Sequence, residues 1–334
     1  MNQPLLSICI PTYNRADFLD KCLESLCSSA AGNLDKLEVV ISDNASPDNT
    51  KEIVDKYQER LPIRYFLNSE NIGCERNIMA VARRAAAEHI WVFGDDDLFE
   101  DTAVPSALRH IQLGYDLIVF NYSIWSRDMN TMRRPRGFPS KRSRVYNTPD
   151  EVIASLGSHL GYISGLVVRK RIFTATPAEE YQPFIEYGFS HLYSMYAGML
   201  PACKAVCPSE IAFRNRSDNC DSYFGDKGFE LWIFCFIYGT AIVFDSLQRK
   251  GYSRWAVVSA KNQVLRDFVE PVILTGMPGT DRRVVLDKMI QLYSLNWRFW
   301  MISFPGLIIP SEIVGFARKM FRSARRHLRP VRYA

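Results

Sequence analysis

The chain has 334 residues, 47% of them hydrophobic and 23% charged, with a formal net charge of +5. That is enough apolar material for one large domain with an appended element, or for two small domains, and it excludes a disordered chain. The eight cysteines include no Cys-x-x-Cys pair and no partner histidines at zinc spacing, so they read as reduced, mostly buried thiols of a cytosolic protein.

The amino-terminal stretch MNQPLLSICIPTYN has no basic segment leading into an apolar core, and no secretory signal is expected. The next hundred residues or so alternate strand and helix signals. A strand over Leu5 to Pro11 runs into Thr12-Tyr13-Asn14, and a helix follows over Ala16 to Cys27. A second strand, Leu37 to Ser42, ends at Asp43-Asn44-Ala45-Ser46, and Asp48 can cap a helix reaching Glu59. A third strand spans Ile63 to Leu67, a helix Glu75 to Glu88, and a fourth strand Ile90 to Phe93, which ends at Asp95-Asp96-Asp97. These repeats imply an α/β fold, Rossmann-like, with a mostly parallel central sheet and flanking helices.

Beyond Asp97 the alternation loosens. Strands are expected over Leu117 to Ile124, Gly161 to Val168 and Ala205 to Phe213, with a basic loop from Arg127 to Arg144 and a helix over Ser190 to Leu200. From Gly228 the pattern is helical and aromatic, so a boundary is placed between Asp221 and Gly228. This gives an α/β domain over residues 1–225, with halves 1–100 and 101–225, and a helical region over 226–334. The apolar runs 231–244 and 299–309 are shorter than the ~20 residues that span a bilayer.

Ligands of open α/β sheets bind at the carboxyl ends of the strands. Here those ends carry Thr12, Asn14, Asp43, Ser46 and the run Asp95–Asp97. Turn chemistry alone explains any one of them; several in succession point to a site. Three adjacent carboxylates repel one another, and a divalent cation removes the conflict. Mg²⁺ or Mn²⁺, held by Asp95 and Asp97 and by substrate phosphates, would neutralise a diphosphate leaving group. Asp43 can accept from a base ring or a ribose hydroxyl, or it can cap the next helix.

The segments ICIPTYNR, VVISDNAS, NIGCERN and WVFGDDD occur in that order, and together the first hundred residues or so resemble the family 2 glycosyltransferases. The resemblance implies the GT-A fold, with a helical carboxyl-terminal extension added here. It implies that Pro11, Thr12 and Tyr13 line a base pocket and that Asp43 reads the base. Asn71, Gly73 and Asn77 would lie over the donor, and Asp95, Asp96 and Asp97 would hold ribose, diphosphate and metal. It also implies sugar transfer from a nucleoside diphosphate with inversion. The chain departs from the commoner pattern in a shorter spacing between Gly73 and Asn77 and in AAEHI, where a glycine is usual. The compact form is similar to transferases of bacterial O-antigen assembly, abequosyltransferases among them.

Inversion needs a general base on the acceptor hydroxyl. In FIEYGFSHLYSMY the candidates are Glu186 and His191, and the sequence leaves both open. Ser164 and Gly165 fall where the family brings backbone close to the acceptor, although a bulge also explains the glycine. Arg214 and Arg216 either reach the diphosphate from a mobile loop or are solvent-exposed. At the carboxyl end Trp297, Phe299, Trp300, Phe304 and Leu307 precede a basic run of Arg318, Lys319, Arg322, Arg325, Arg326, Arg329 and Arg332. That pairing describes a segment on an anionic membrane surface, ahead of a solvated helix or nucleic-acid binding.

The reading is a peripheral enzyme on the inner face of the cytoplasmic membrane that takes a nucleoside-diphosphate sugar, with a deoxyhexose such as abequose as one candidate. Its acceptor would be a lipid-linked, polyprenyl diphosphate saccharide, and nucleic acid is not a partner. A sugar nucleotidyltransferase is disfavoured because the first loop has no glycine. A non-catalytic nucleotide-sugar or membrane-binding module is disfavoured because it has no use for clustered carboxylates.

Overall fold

Strands and helices alternate through the amino-terminal part as their apolar spacing requires. A computed structural model describes residues 3–138, 142–217, 233–270 and 282–309. In it β1 (Leu6–Thr12), α1 (Ala16–Ser29), β2 (Leu37–Asp43), α2 (Thr50–Tyr57), β3 (Ile63–Leu67), α3 (Cys74–Arg84) and β4 (His89–Val92) follow one another. β1 pairs in parallel with both β2 and β4, and β2 with β3. α3 stops at Arg84, short of the expected Glu88, because Ala85 turns extended (ψ 141°) to lead into β4.

The next strands are short: β5 (Leu98–Phe99), β6 (Leu117–Val119), β7 (Asn121–Trp125), β8 (Met132–Arg134), β9 (Arg144–Tyr146), β10 (Leu166–Arg169), β11 (Ala205–Cys207) and β12 (Ile211–Arg216). The main sheet has the order β3-β2-β1-β4-β10-β6-β11-β9, and a second sheet has the order β5-β12-β7-β8. β10 runs antiparallel to β4 and β6, and β9 to β11. The rest of the main sheet is parallel, as expected of this α/β class.

Three expected strands are corrected. The stretches 117–124 and 205–213 each divide into two strands that belong to different sheets. The first breaks at Phe120, whose N–H donates to the Gly165 carbonyl at 2.8 Å. The second breaks after Cys207 at Pro208, which has no N–H to give. In 161–168 the strand begins only at Leu166, because tight 3₁₀ turns fill Gly157–Gly161 and Ile163–Gly165. The expected basic loop also carries β8 and the start of β9.

Both faces of the main sheet are covered, as a parallel sheet requires. Alternate residues Leu6, Ile8 and Ile10 pack with Leu19, Leu23 and Leu26 of α1 and with Val54 and Tyr57 of α2. On the opposite face Cys9, Val40, Ile90 and Val92 meet Ile78, Met79, Val81 and Ala82 of α3. That second core continues into the helix Ser190–Met199 and into the carboxyl-terminal helices Thr240–Gln248, Arg254–Val264, Arg282–Tyr293 and Phe304–Ile308. Phe244, Tyr293 and Phe299 are fully buried there, and each such side chain contributes about 1.5–3 kcal/mol of transfer free energy. Gly198 allows the helix Ser190–Met199 to touch its neighbour, since a Cβ there would lie 2.0 Å from the Ile172 carbonyl oxygen.

The boundary expected between Asp221 and Gly228 lies outside the described residues. Of the described cysteines, Cys9, Cys22, Cys203, Cys207 and Cys235 are buried, and none is in a disulfide. No described helix is long and apolar enough to cross a membrane.

Candidate active site

The carboxyl ends of β1, β2 and β4 lie side by side, and their loops are tied together. The Asn14 N–H donates to Ser46 Oγ at 2.9 Å, and the Ser46 N–H to Asp43 Oδ1 at 2.9 Å. Two residues here are left-handed, Asn14 (φ 53°) and Ala45 (φ 62°). Asparagine tolerates that region, whereas alanine is strained in it by about 1–2 kcal/mol. Pro11 lies beyond Cys9–Val92, the last β1–β4 pair, so its missing N–H removes no ladder bond there. Tyr13 is exposed at the rim.

The carboxylate run turns directly out of β4. The Gly94 N–H donates to Ser164 Oγ at 2.9 Å. Asp95 is buried and accepts from Thr12 Oγ1 (2.7 Å) and Arg15 (3.1 Å). Asp97 is buried and accepts from the Tyr162 hydroxyl (2.6 Å), Asn215 Nδ2 (3.2 Å) and the Arg216 N–H (3.1 Å). Asp96 is half-buried between them and receives Arg15 at 3.3 Å. Burial and the neighbouring Asp96 charge push Asp97 up to about 7. Asp95 rises to about 6 for the same reasons, with Arg15 offsetting part of the burial cost.

The raised values come mainly from burial, which disfavours the charged carboxylates, and the donors are all oxygen. Both features fit Mg²⁺ or Mn²⁺. Among the described residues no three His, Cys, Asp or Glu side chains converge to hold a metal by themselves. A cation here therefore needs further oxygens from a ligand, as a diphosphate supplies.

Asp43 is buried beneath the β1 and β2 loops and also accepts from the Tyr65 hydroxyl at 2.5 Å. The structure thus gathers Thr12, Asn14, Asp43, Ser46, Asp95, Asp96, Asp97 and Ser164. Asn71 precedes α3 and Asn77 lies in its first turn. Asn77 is buried, accepts from Ser42 Oγ (2.6 Å) and Asn68 Nδ2 (3.1 Å), and donates to the Ser42 carbonyl (2.9 Å). Asn71 Oδ1 accepts from Asn44 Nδ2 (2.7 Å) and the Gly73 N–H (2.9 Å). These hydrogen bonds brace the loops after β2 and before α3, with Asn77 buried and Asn71 exposed. Gly165 sits against the β6–β7 junction, where a Cβ would lie 3.2 Å from the Phe120 carbonyl oxygen.

The two base candidates separate. His191 is buried with both ring nitrogens engaged, Nδ1 with Glu75 (3.3 Å) and Nε2 with the Gly161 carbonyl (3.1 Å). Burial alone would lower its pKa, but the Glu75 carboxylate overrides this and raises it. Glu186 is exposed and lines a concavity of about 590 Å³ with Glu180, Tyr187, Arg249 and Lys250.

Arg216 belongs to strand β12 and is only 5% exposed, not a solvated loop residue, and its Nε donates to the Asp96 carbonyl at 2.9 Å. Arg214 pairs with Glu100 (3.0 Å), away from the run. Sequence reasoning missed Arg15, Tyr162 and Asn215. Arg15 was legible as the cation closing PTYNR; the other two carry no local signal.

Residues 7–175 match the family model for glycosyl transferase family 2. The chain belongs to that family. It is therefore a glycosyltransferase, built on the sheet and carboxylate turn described above. It is 30% identical over 231 residues to the abequosyltransferase RfbV of Salmonella typhimurium, covering 66% of this chain and 68% of that one. It is 31% identical over 114 residues to the GalNAc(5)-diNAcBac-PP-undecaprenol beta-1,3-glucosyltransferase of Campylobacter jejuni, covering 34% and 36%. In fold it is similar to S. aureus TarS 1–349, with a TM-score of 0.61 at 14% identity over 95% of this chain and 91% of that one. The likeness of this family 2 chain to TarS supports the GT-A assignment.

Proposed function

We propose that this transferase moves a sugar, with a deoxyhexose such as abequose as the leading candidate, from a nucleoside diphosphate to a lipid-linked saccharide, with inversion at the anomeric carbon. Its setting would be O-antigen assembly on the inner face of the cytoplasmic membrane. The observation that carries the reading is the buried Asp95–Asp97 run, joined to Thr12 and Arg15 at the carboxyl end of the sheet. RfbV supports the donor class, and the Campylobacter relative, whose name specifies a lipid diphosphate saccharide, supports the acceptor class.

In this reading Pro11, Thr12, Tyr13 and Asp43 take the nucleoside, and Asp95 takes the ribose. Asp97, with Asp95, would hold Mg²⁺ or Mn²⁺, which when bound supplies charge neutralisation to the diphosphate leaving group. Arg15 and Arg216 hold the run in place from either side. Tyr162 and Asn215 fix the Asp97 carboxylate so that it does not reorganise as charge develops. The acceptor hydroxyl attacks from the face opposite the diphosphate, and a side chain takes its proton. Of the two candidates, only Glu186 offers a solvent-reachable carboxylate, so the proton is assigned to Glu186 and His191 becomes a positioning residue behind the Gly161–Tyr162 turn.

Asp97→Ala should lower transfer at least a hundredfold and abolish metal-dependent thermal stabilisation by the donor that a panel of nucleotide sugars identifies. Unchanged turnover would sink the metal assignment. Glu186→Gln should lower kcat by more than tenfold while leaving donor affinity intact. A near-normal kcat in Glu186→Gln, with collapse in His191→Ala, would return the role to the histidine.

A further inference from the structure

A cleft of about 880 Å³ opens beside the carboxylate run, at the start of α1. Its cations are Arg15, Lys21, Arg127, Arg133 and Arg216, brought from the β1–α1 loop, α1, the β7–β8 hairpin and β12. The carboxylates lining it are Asp17, Asp48 and Asp128. Asp48 is engaged by the Ala16 N–H (2.9 Å) and the Thr50 N–H (3.2 Å), and Asp128 by Ser126 Oγ (2.5 Å) and the Asn130 N–H (3.1 Å). The lining thus carries five cations and three carboxylates, with Arg15 paired to Asp95 and Asp96 behind it. Thr12, Asp43, Asp95 and Asp97 do not line this cleft, whereas Asn14, Arg15 and Arg216 are shared with the site around the carboxylate run, so the cleft adjoins the donor seat.

Arg216 supplies an independent pointer to a ligand. It is 95% buried by its 5% exposure, and it spans the cleft wall. Its Nε bonds the Asp96 carbonyl and its Nη1 the Arg127 carbonyl, while its Nη2 has no partner. A buried guanidinium nitrogen is seldom left unpaired, and the planar fork suits phosphate oxygens.

We infer that this cleft binds a phosphate-bearing group of the acceptor, beside the seat of the donor diphosphate. The inference rests on the lipid-linked acceptor proposed above. In such an acceptor the phosphate stands at a fixed number of sugars from the reacting hydroxyl, so anchoring it selects which residue of the saccharide is presented.

The test uses the full chain and inorganic pyrophosphate in metal-free buffer, with the nucleoside diphosphate that binds best (from UDP, GDP, CDP and dTDP) at saturation. Pyrophosphate should still bind, and Lys21→Glu with Arg133→Glu, both at exposed positions, should weaken it at least tenfold. The same pair should leave the affinity for the nucleoside diphosphate within twofold. Absence of pyrophosphate binding to the saturated protein, or binding that the two substitutions do not change, overturns the inference. A parallel loss of nucleoside diphosphate affinity also overturns it, by making the cleft part of the donor seat. A second arm compares a prenyl diphosphate saccharide with the same saccharide on a neutral alkyl group. The wild type should favour the diphosphate by more than tenfold in kcat/KM and the double variant should not; equal use by the wild type counts against the inference. If no donor supports transfer at all, the proposed function fails while the pyrophosphate result still decides the cleft.

Discussion

Asp97 is a buried carboxyl group whose ionisation the fold resists. Its pKa of about 7, and that of Asp95 at about 6, lie well above an unfolded aspartate near 3.9. The folded state then binds more protons than the unfolded state between about pH 4 and 7, so stability falls as pH rises through that window. The buried His191–Glu75 pair adds to the fall, because a histidine with a raised pKa loses its stabilising charge as pH rises. The metal-free protein should therefore melt at a lower temperature at pH 8 than at pH 5. Mn²⁺ should raise the melting temperature at pH 8 and do so far less at pH 5, where the carboxyl groups are protonated. Asp97→Asn separates the contributions: it should flatten the pH slope and remove the Mn²⁺ response while leaving the histidine contribution. An Asp97→Asn protein that still responds fully to Mn²⁺ would place the cation elsewhere. The carboxylate run was legible in the sequence because its three members are adjacent. Its supports were not: Tyr162 reaches Asp97 across 65 positions and Asn215 across 118, and no local pattern announces such partners. Asn77 shows the converse limit. The motif picks out Asn77 but not the Ser42–Asn68 bracket that its amide closes.

At the scale of elements, legibility follows strand length. β1, β2 and β3 have enough residues for apolar runs to stand out between turn residues, and the expected bounds agree with them closely. β6, β9 and β11 have three residues each, too few for any period to show. No breaker in the sequence separates β6 from β7: Phe120 still donates to Gly165 beside β10, and β7 then pairs with β12 and β8 instead. Pro208 is such a breaker, and with Ser209 and Glu210 it interrupts the apolar residues on either side. The division matters for the site. β7 and β12 leave the main sheet to form the second one, and that departure carries Asn215 and Arg216 to Asp97 and the β7–β8 hairpin to the basic cleft. The part of the chain with the weakest local pattern thus builds one wall of the site, because its geometry is set by contacts between distant segments.

At the scale of the molecule, one surface remains apolar where the core has already been satisfied. Leu295, Trp297, Trp300, Met301, Ile302 and Ile308 are 42–76% exposed, while Phe299, Ser303 and Leu307 on the same segment are buried. The segment therefore has an inner face held by the core and an outer face with nothing described against it. We propose that this outer face, with the basic run from Arg318 to Arg332, rests on an anionic membrane; that run lies outside the described residues. The two contributions can be separated. Truncation after Ile309 removes the seven basic residues of the run, each bringing about 1 kcal/mol at an anionic surface, and keeps the buried Phe299 and Leu307. Its binding to vesicles containing phosphatidylserine should fall and lose most of its salt dependence. Trp297→Ser with Trp300→Ser and Met301→Ser should instead weaken binding to neutral and anionic vesicles alike, since it removes apolar area and no charge. Combining the truncation with these substitutions should release the protein into the supernatant on sedimentation with either kind of vesicle. A combined variant that still pellets with lipid while keeping its melting temperature would show that another surface does the docking, and the acceptor would then approach from a different side of the sheet.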